Sequence, residues 1–378
     1  MEMLSKHVYL DNAATTPMDP KVIEAMNQVM MEVYGNPSAT HALGRKAKGV
    51  IESARKSIAS LIGAQSKEII FTSGGTEADN LAIRCAVRDL GIRSIITSPI
   101  EHKAVLSTSQ EMESDAVSVH LVRVDDKGRV DYAHLNELAE AHPHSLISLM
   151  HANNEIGTLT PIREISSICQ QAGVYFLPDT VQTIAKYPLS VKEMPVTFLA
   201  GSAHKFHGPK GIGFMYINGE VKINPLIDGG SQERTMRSGT ENIAYIVGLA
   251  KALELYITDR YARQKHIDGL RRYLAGQLLS AFSGAHLNGD GLDNTLYTVL
   301  SIAFPPHPKN ELLLLQLDIS GICASGGSAC TSGAEAASHV LEGIGGDPDY
   351  KTIRFSFSHY NTLEEMDEVV RKIKAILG

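Results

Sequence analysis

The sequence is poor in cysteine, with only Cys85, Cys169, Cys323 and Cys330 among 378 residues. Four cysteines in a chain of this size do not suggest a disulfide framework, and the last two lack the short spacing of a zinc knuckle. We therefore expect free thiols in a reducing compartment. Cys85 and Cys169 fall in amphipathic helical stretches, which predicts buried, unreactive thiols.

Long apolar runs and an excess of positive charge are also missing. No run approaches the roughly 20 apolar residues that cross a bilayer, and residues 1–6 do not begin a secretory signal peptide. Lys and Arg number 35 against 42 Asp and Glu, a net charge of −7. This balance gives no electrostatic reason for nucleic-acid binding. We expect a cytoplasmic protein that binds neither membranes nor nucleic acid.

The residue pattern predicts an α/β fold. With 43% hydrophobic residues, the chain can bury a full core, and its length suggests two or three domains. From about residue 40 to 215, helical periodicity alternates with short β-branched runs, which is typical of a mostly parallel sheet covered by helices. Beyond Tyr256 the helices become longer and the strands fewer. We predict a large domain over residues 16–255 and a smaller α+β domain formed by residues 1–15 and 256–378.

Two predicted helices have well-marked ends. One covers residues 42–62, with Gly63 just past its end. The other closes the chain, where Thr362 and Glu365 form a capping box. Each has an apolar stripe that predicts its buried face. The stripes consist of Leu43, Ala47, Val50, Ala54, Ile58 and Leu61 in the first helix, and Leu363, Met366, Val370, Ile373 and Leu377 in the second.

A glycine turn links a predicted strand at residues 69–72 to a helix. Its residues Ser73, Gly74, Gly75 and Thr76 would offer backbone N–H groups, a hydroxyl and the positive end of a helix dipole to a phosphate. A plain strand-to-helix turn is the alternative, and on its own it is the commoner explanation. The turn lacks the Gly-Lys-Ser/Thr ending of a P-loop, which argues against a nucleoside triphosphate.

Two polar residues follow apolar strands further along. Asp179, followed closely by Gln182, ends a short strand at the edge where open α/β sheets bind ligands. Such an acid can keep a pyridine nitrogen protonated, or it can simply cap the next turn. Lys205 follows Ser202 and His204 on a tight turn behind another strand. There a lysine can be desolvated and form a Schiff base, although most lysines are solvated surface charges.

The second half of the chain adds two candidates. Cys330 lies in the small-residue run 324–333, and a mobile loop would leave its thiol accessible for carrying a group between sites. A packing turn with an incidental thiol is the alternative. Arg354 lies on a predicted strand, on the opposite face from Ile353 and Phe355. It can hold a carboxylate bidentately, or it is an ordinary exposed arginine.

Six segments, in order and spanning nearly the whole chain, together resemble the cysteine desulfurases of the class V aminotransferase family. The cysteine loop resembles that of the NifS/IscS group more than the shorter segment of the SufS-like group. The resemblance implies a fold-type I pyridoxal-phosphate transferase that forms a homodimer, with active sites at the domain and subunit boundary. The segments are 9–17 (YLDNAATTP), 71–77 (FTSGGTE), 101–105 (EHKAV), 151–157 (HANNEIG), 237–240 (RSGT) and 328–332 (SACTS).

The resemblance also implies a reaction and a role for each matched residue. Sulfur would pass from L-cysteine to Cys330 as a persulfide, leaving L-alanine. Lys205 would bind pyridoxal 5'-phosphate covalently and later move a proton, while His102 would stack on the ring and protonate leaving groups. The remaining contacts would be Asp179 to the ring nitrogen, Gln182 to the ring hydroxyl, Gly75, Thr76, Ser202 and His204 to the phosphate, Thr240 to the phosphate of the other subunit, and Asn154 and Arg354 to the substrate.

The sequence departs from the family pattern in two places. Thr180 and Val181 replace the more usual Ala-Thr between Asp179 and Gln182, which we expect to be tolerated because both contact residues remain. Some relatives continue past the final helix in a tail that docks a cluster-assembly scaffold, whereas this sequence ends at Gly378. The resemblance therefore supports sulfur extraction more directly than delivery to an acceptor protein such as an iron–sulfur scaffold.

Three other functions fit parts of the pattern. A selenocysteine lyase would share the cofactor chemistry without needing a persulfide, so the presence of Cys330 favours desulfuration. A transaminase on the same fold would require an amino acceptor. A non-catalytic sulfur-relay protein would keep only the fold, and the intact Lys205, Asp179 and His102 argue against it.

Overall fold

The computed structural model describes residues 7–113, 117–326 and 338–378, so Cys330 and most of its predicted loop lie outside the described residues. No helix in these ranges is both long and apolar enough to cross a membrane. The helices are α1 (Pro20–Glu32), α2 (Ala42–Leu61), α3 (Gly75–Asp89), α4 (Lys103–Glu113), α5 (Tyr132–Ala141), α6 (Ile162–Ala172), α7 (Ile243–Thr258), α8 (Arg260–Ala281), α9 (Leu313–Ile319), α10 (His339–Gly343) and α11 (Leu363–Leu377).

Twelve strands occur in the same ranges. They are β1 (Val8–Tyr9), β2 (Ile69–Thr72), β3 (Ser94–Thr97), β4 (Ser118–Leu121), β5 (Ser145–Ser148), β6 (Tyr175–Leu177), β7 (Phe198–Ser202), β8 (Gly213–Ile217), β9 (His286–Leu287), β10 (Val299–Phe304), β11 (Ile322–Cys323) and β12 (Lys351–Ser356). The strand predicted at residues 69–72 is β2, and its limits agree with the prediction.

The main sheet confirms the predicted α/β class. Strands β4, β3, β5 and β6 lie side by side and parallel. A parallel bridge between Asp179 and Ala200 continues the sheet into β7, and β8 then pairs antiparallel with both β7 and β2. The inner strands β3, β5, β7 and β8 are buried along their whole length, as expected for a sheet covered by helices on both faces. The carboxyl ends of β3, β5, β6 and β7 therefore meet at one edge.

A separate core forms around the antiparallel sheet of β9, β10 and β12. Helices α8, α9 and α11 pack on this sheet, and Leu10 from the N-terminal segment is part of its apolar core. Two other apolar clusters lie with the main sheet. We propose that these cores correspond to a small and a large domain, with the limits expected from the sequence.

The helix ends agree with the sequence, but the predicted stripes do not agree throughout. Gly63 has a φ of 73° and follows the end of α2, and the capping box of Thr362 and Glu365 is formed. Leu43 and Leu363 are exposed by 43% and 46%, contrary to prediction. Both lie in the first turn of their helix, before its buried face meets the core. In α2 that face includes Ile51 rather than Val50.

An unusual turn joins the main sheet to the segment before Thr240. Glu233, Arg234 and Thr235 are three consecutive non-glycine residues with positive φ, at 43°, 57° and 66°. Left-handed backbone costs L-residues roughly 1–2 kcal/mol each. The buried Glu233 carboxylate offsets this cost by accepting two hydrogen bonds from Arg55, at 2.6 and 2.8 Å, and one from the Phe71 N–H, at 2.9 Å.

The Glu233→Ala substitution tests this arrangement. Removing the carboxylate leaves the Arg55 guanidinium buried without its main counter-ion, which should lower the free energy of unfolding by about 3–5 kcal/mol. Glu193→Ala, which removes the exposed pair with Arg163, is the control and should cost under about 1 kcal/mol. Urea unfolding followed by circular dichroism measures both. Equal small losses would show that the buried pair does not hold the turn.

Candidate functional site

A cavity of about 290 Å³ opens where strands of the main sheet end. Parallel strands place the residues that follow them at one edge, so segments distant in sequence converge there. Thr240 is exposed and does not line the cavity, and Cys330 lies outside the described residues. The other predicted site residues all line it, namely Gly75, Thr76, His102, Asn154, Asp179, Gln182, Ser202, His204, Lys205 and Arg354.

Lys205 lies at the end of a short 3₁₀ helix directly after β7. Its Nζ donates hydrogen bonds to the main-chain oxygens of Ala13 and Ala14, at 2.6 and 2.9 Å. The side chain is therefore partly buried and directed to the cavity, not spread over the surface. Its position suits an amine that must react with a carbonyl group inside the protein.

Asp179 caps the following turn, which is one of its two predicted roles, and it also lines the cavity. It is 7% exposed, and one of its carboxylate oxygens, Oδ1, accepts the Val181 N–H at 2.8 Å, which caps the following turn. Its carboxyl group also lines the cavity. Burial raises the pKa of Asp179, while the charges of His102 and Lys205 act in the opposite direction. Burial and these two neighbours thus act on Asp179 in opposite directions.

Gln182 and His102 are each oriented by a main-chain contact. The Gln182 Nε2 donates to the Ala13 oxygen at 3.0 Å, so Ala13 accepts from both Gln182 and Lys205. The His102 Nδ1 accepts the Ala104 N–H at 3.1 Å. In a neutral imidazole this places the proton on Nε2. The ring can therefore donate a proton or a hydrogen bond through that atom.

The start of α3 can bind an anion. The helix begins after Gly74, and no side chain in the described part of the chain caps it. A side chain at Gly75 would bring its Cβ within 2.5 Å of the Val181 Cγ2, so only glycine permits this close approach. His204 contacts Thr15 at 3.2 Å, and burial lowers its pKa to about 3, which keeps the ring neutral. Together with Thr76 and Ser202, these groups are donors suited to phosphate.

Arg354 differs from one of the two expectations. It is 1% exposed, so the alternative of an ordinary exposed arginine is wrong. The segment at Asp11 covers its strand, and the guanidinium pairs with the Asp11 Oδ1 and donates to the Asn154 oxygen, both at 2.8 Å. The Arg354 Nε is buried and has no hydrogen-bond partner among the described residues. A buried donor of this kind requires an acceptor.

Comparisons with known proteins agree with this geometry. The family model for aminotransferase class-V matches residues 8–369. The chain belongs to this family. It is 42% identical over 378 residues to the cysteine desulfurase IscS of Dictyoglomus turgidum, covering 99% of this chain and 95% of the relative. It is 40% identical over 377 residues to the cysteine desulfurase NifS of Azotobacter vinelandii, covering 98% and 92%.

Solved structures lead to the same family. A structure named a NifS-like protein is 38% identical and has a TM-score of 0.91, covering 98% of this chain and 99% of its own. A structure described as SspA in complex with cysteine is 32% identical, with a TM-score of 0.82 and coverage of 94% and 99%. Within the class-V family the chain therefore groups with the cysteine desulfurases, which confirms the fold and family expected from the sequence.

Sequence reasoning missed Asp79, one of several further residues that line the cavity. Asp79 lies on the second turn of α3, lines the cavity, and has a buried Oδ1 without a hydrogen-bond partner. Burial, with the nearby charges of Asp179 and Glu101, raises its pKa well above the ordinary value. The signal was present, because Asp79 stands between Ala78 and the apolar residues of a buried helical face.

Asp79 makes the stability of the ligand-free protein depend on pH. Because its pKa is raised in the folded state, the unfolded chain releases this proton first. Stability is therefore lost as pH rises above about 4. The Asp79→Asn variant cannot ionise, so its melting temperature should fall less between pH 5 and pH 8 than that of the wild type. Circular dichroism measures this difference.

The exposed Asp126 provides the matched control for this experiment. Asp126→Asn removes the same charge from the surface and should leave the wild-type pH dependence unchanged. An equal fall of melting temperature in the wild type and in Asp79→Asn would mean that Asp79 does not carry a raised pKa.

Proposed function

We propose that this chain is a pyridoxal-phosphate-dependent cysteine desulfurase. It would convert L-cysteine to L-alanine and transfer the sulfur to Cys330 as a persulfide. The observation that supports this most strongly is the convergence of Lys205, Asp179 and the uncapped start of α3 on one cavity. Relatives that cover nearly the whole chain are named cysteine desulfurases, which agrees with this assignment.

The cavity residues fit pyridoxal 5'-phosphate in their chemistry. Lys205 supplies an amine for the aldehyde group, and the buried Asp179 supplies a carboxylate for the protonated ring nitrogen. Gly75, Thr76, Ser202 and His204 would supply donors for the phosphate, while Gln182 would hold the ring hydroxyl and His102 would lie against the ring face. When bound, the cofactor supplies an electron sink for the substrate carbon atoms.

The Arg354 Nε supports the choice of an amino acid as substrate. Two of the guanidinium nitrogens donate to Asn154 and Asp11, and the buried Nε is a further donor that has no acceptor among the described residues. A substrate carboxylate would satisfy it with a charge-assisted hydrogen bond. The similar SspA structure is described as a complex with cysteine. We therefore propose that Arg354, with Asn154, orients the L-cysteine carboxylate.

Two side chains would handle protons. Lys205, released from the cofactor, would take the proton from the substrate Cα, and the oxygens of Ala13 and Ala14 can orient its amine. His102 would protonate the leaving group through its Nε2, because its Nδ1 already accepts the Ala104 N–H.

Cys330 would accept the sulfur. Its thiolate attacks the substrate sulfur, an S–S bond forms as the substrate C–S bond breaks, and protonation of the remaining carbon atom gives alanine. The sulfur is oxidised and the carbon reduced, so no external oxidant is required. Cys323 is a poorer nucleophile because burial and nearby Asp318 raise the pKa of its thiol.

The homodimer and the acceptor protein remain parts of the proposal. Thr240 is exposed, as expected of a residue that reaches the phosphate of another subunit. Arg237 pairs with Glu77 at 2.8 Å and so fixes the segment before Thr240 beside α3. We propose a cytoplasmic homodimer that passes sulfur to an acceptor such as an iron–sulfur scaffold protein.

Lys205→Ala and Cys330→Ala test the mechanism. Assays with L-cysteine and a reductant should show that each variant loses at least about 100-fold in both alanine and sulfide formation, because each removes a reacting group. Only Lys205→Ala should also lose the visible band of the bound cofactor. Cys323→Ala is the control and should keep activity within about threefold of the wild type. Full alanine release by Cys330→Ala would exclude the persulfide route.

The substrate site is tested by Arg354→Lys. Lysine keeps the charge but cannot replace the planar guanidinium, so KM for L-cysteine should rise about 10–100-fold while the cofactor spectrum stays unchanged. Arg371→Lys, at an exposed position of α11, is the control for purification and assay. A KM equal to that of the wild type would place the substrate carboxylate elsewhere.

A further inference from the structure

A second lysine lies beneath the proposed cofactor site. Lys186 is 6% exposed, in the turn that follows Asp179 and Gln182. Its Nζ donates one hydrogen bond to the Gln182 oxygen at 2.7 Å and another to the Lys205 oxygen at 3.1 Å. One buried side chain thus connects the main chains of two predicted cofactor-binding residues that are 23 positions apart.

Lys186 has no carboxylate partner in the described part of the chain. The charged or titratable groups that interact with it are Lys205, His204 and His207, all of which are bases. Burial, with the charge of Lys205, lowers the pKa of Lys186 to about 7. Burying an amine in such surroundings is costly. The two main-chain hydrogen bonds are the interactions that offset this cost.

The main chain after Lys205 is under strain. His207 is a non-glycine residue with a φ of 66°, and its N–H donates to the Thr16 hydroxyl at 2.8 Å. The chain must therefore turn sharply just after the reactive lysine. A hydrogen bond to the Lys205 oxygen fixes the backbone immediately before that turn.

We propose that Lys186 is a positioning residue that holds the Lys205 backbone against the Gln182 turn. Because its Cα is then fixed, the Lys205 side chain could move from the cofactor to the substrate Cα without displacing the loop. Lys186 itself would touch neither cofactor nor substrate. This inference rests on the proposed function, because it assigns Lys186 a role in the placement of the proposed reactive lysine.

Lys186→Met tests the inference, because methionine is unbranched and fills most of the space of the lysine stem but donates no hydrogen bond. The variant should bind the cofactor, but the visible circular dichroism of the bound cofactor should fall at least about threefold because its placement is looser. A misplacement of about 1 Å can cost 10²-fold in rate, so kcat should fall about 10–100-fold. KM for L-cysteine should change less than about threefold, since Arg354 is untouched.

Lys192→Met, at an exposed position, is the matched control and should have wild-type values in every measurement. A folded Lys186→Met with wild-type circular dichroism and a kcat within twofold of the wild type would overturn the inference. If methionine prevents folding, Lys186→Gln is the second variant. Its donor is on a shorter side chain, so kcat should fall less than in Lys186→Met, by about 3–10-fold. Wild-type values in that variant would overturn it equally.

The failure of the proposed function would look different. In that case the wild type would show no visible cofactor band after incubation with pyridoxal 5'-phosphate, and Lys205→Ala would not differ from it. A wild type with the band and a Lys186 variant without any change would reject only the role of Lys186.

Discussion

The Ala13 main-chain oxygen is the contact on which the site depends. It accepts hydrogen bonds from both Gln182 and Lys205, which come from different turns of the main sheet. The same short segment is joined to β12, because the Ala13 N–H donates to Ser356 and Asp11 pairs with Arg354. The N-terminal segment therefore links Arg354, on the antiparallel sheet, to Lys205, at the edge of the main sheet.

The electrostatics of the cavity follow from burial. Acids become harder to ionise and bases become harder to protonate when water is excluded. Burial raises the pKa of Glu101 to about 8 and raises the pKa of Asp79 well above its ordinary value. Burial lowers the pKa of Lys186. Asp179 is the acid whose ionised form His102 and Lys205 favour. Burial still raises the pKa of Asp179, so the protonated ring nitrogen of the proposed cofactor would further favour the carboxylate form.

Much of this arrangement could be predicted from the sequence, and the reasons are local. Neighbouring residues determine a glycine turn before a helix, and they also determine an acid or a lysine at the end of an apolar strand. The parallel topology then places these strand ends at one edge of the sheet. The burial of Arg354 could not be predicted, because it depends on a segment more than 300 residues away. The contact of Asp11 with Arg354 is equally long-range. Lys186 binds main-chain oxygens, and such contacts leave no pattern in the sequence.

The most direct test of the account is to identify the lysine that binds the cofactor. The protein is incubated with pyridoxal 5'-phosphate, reduced with borohydride and digested, and the modified peptide is sequenced by mass spectrometry. The account predicts that the reduced cofactor is attached to Lys205. Attachment to Lys103, which lines the same cavity, or to any other lysine would contradict it, as would the absence of any modified peptide.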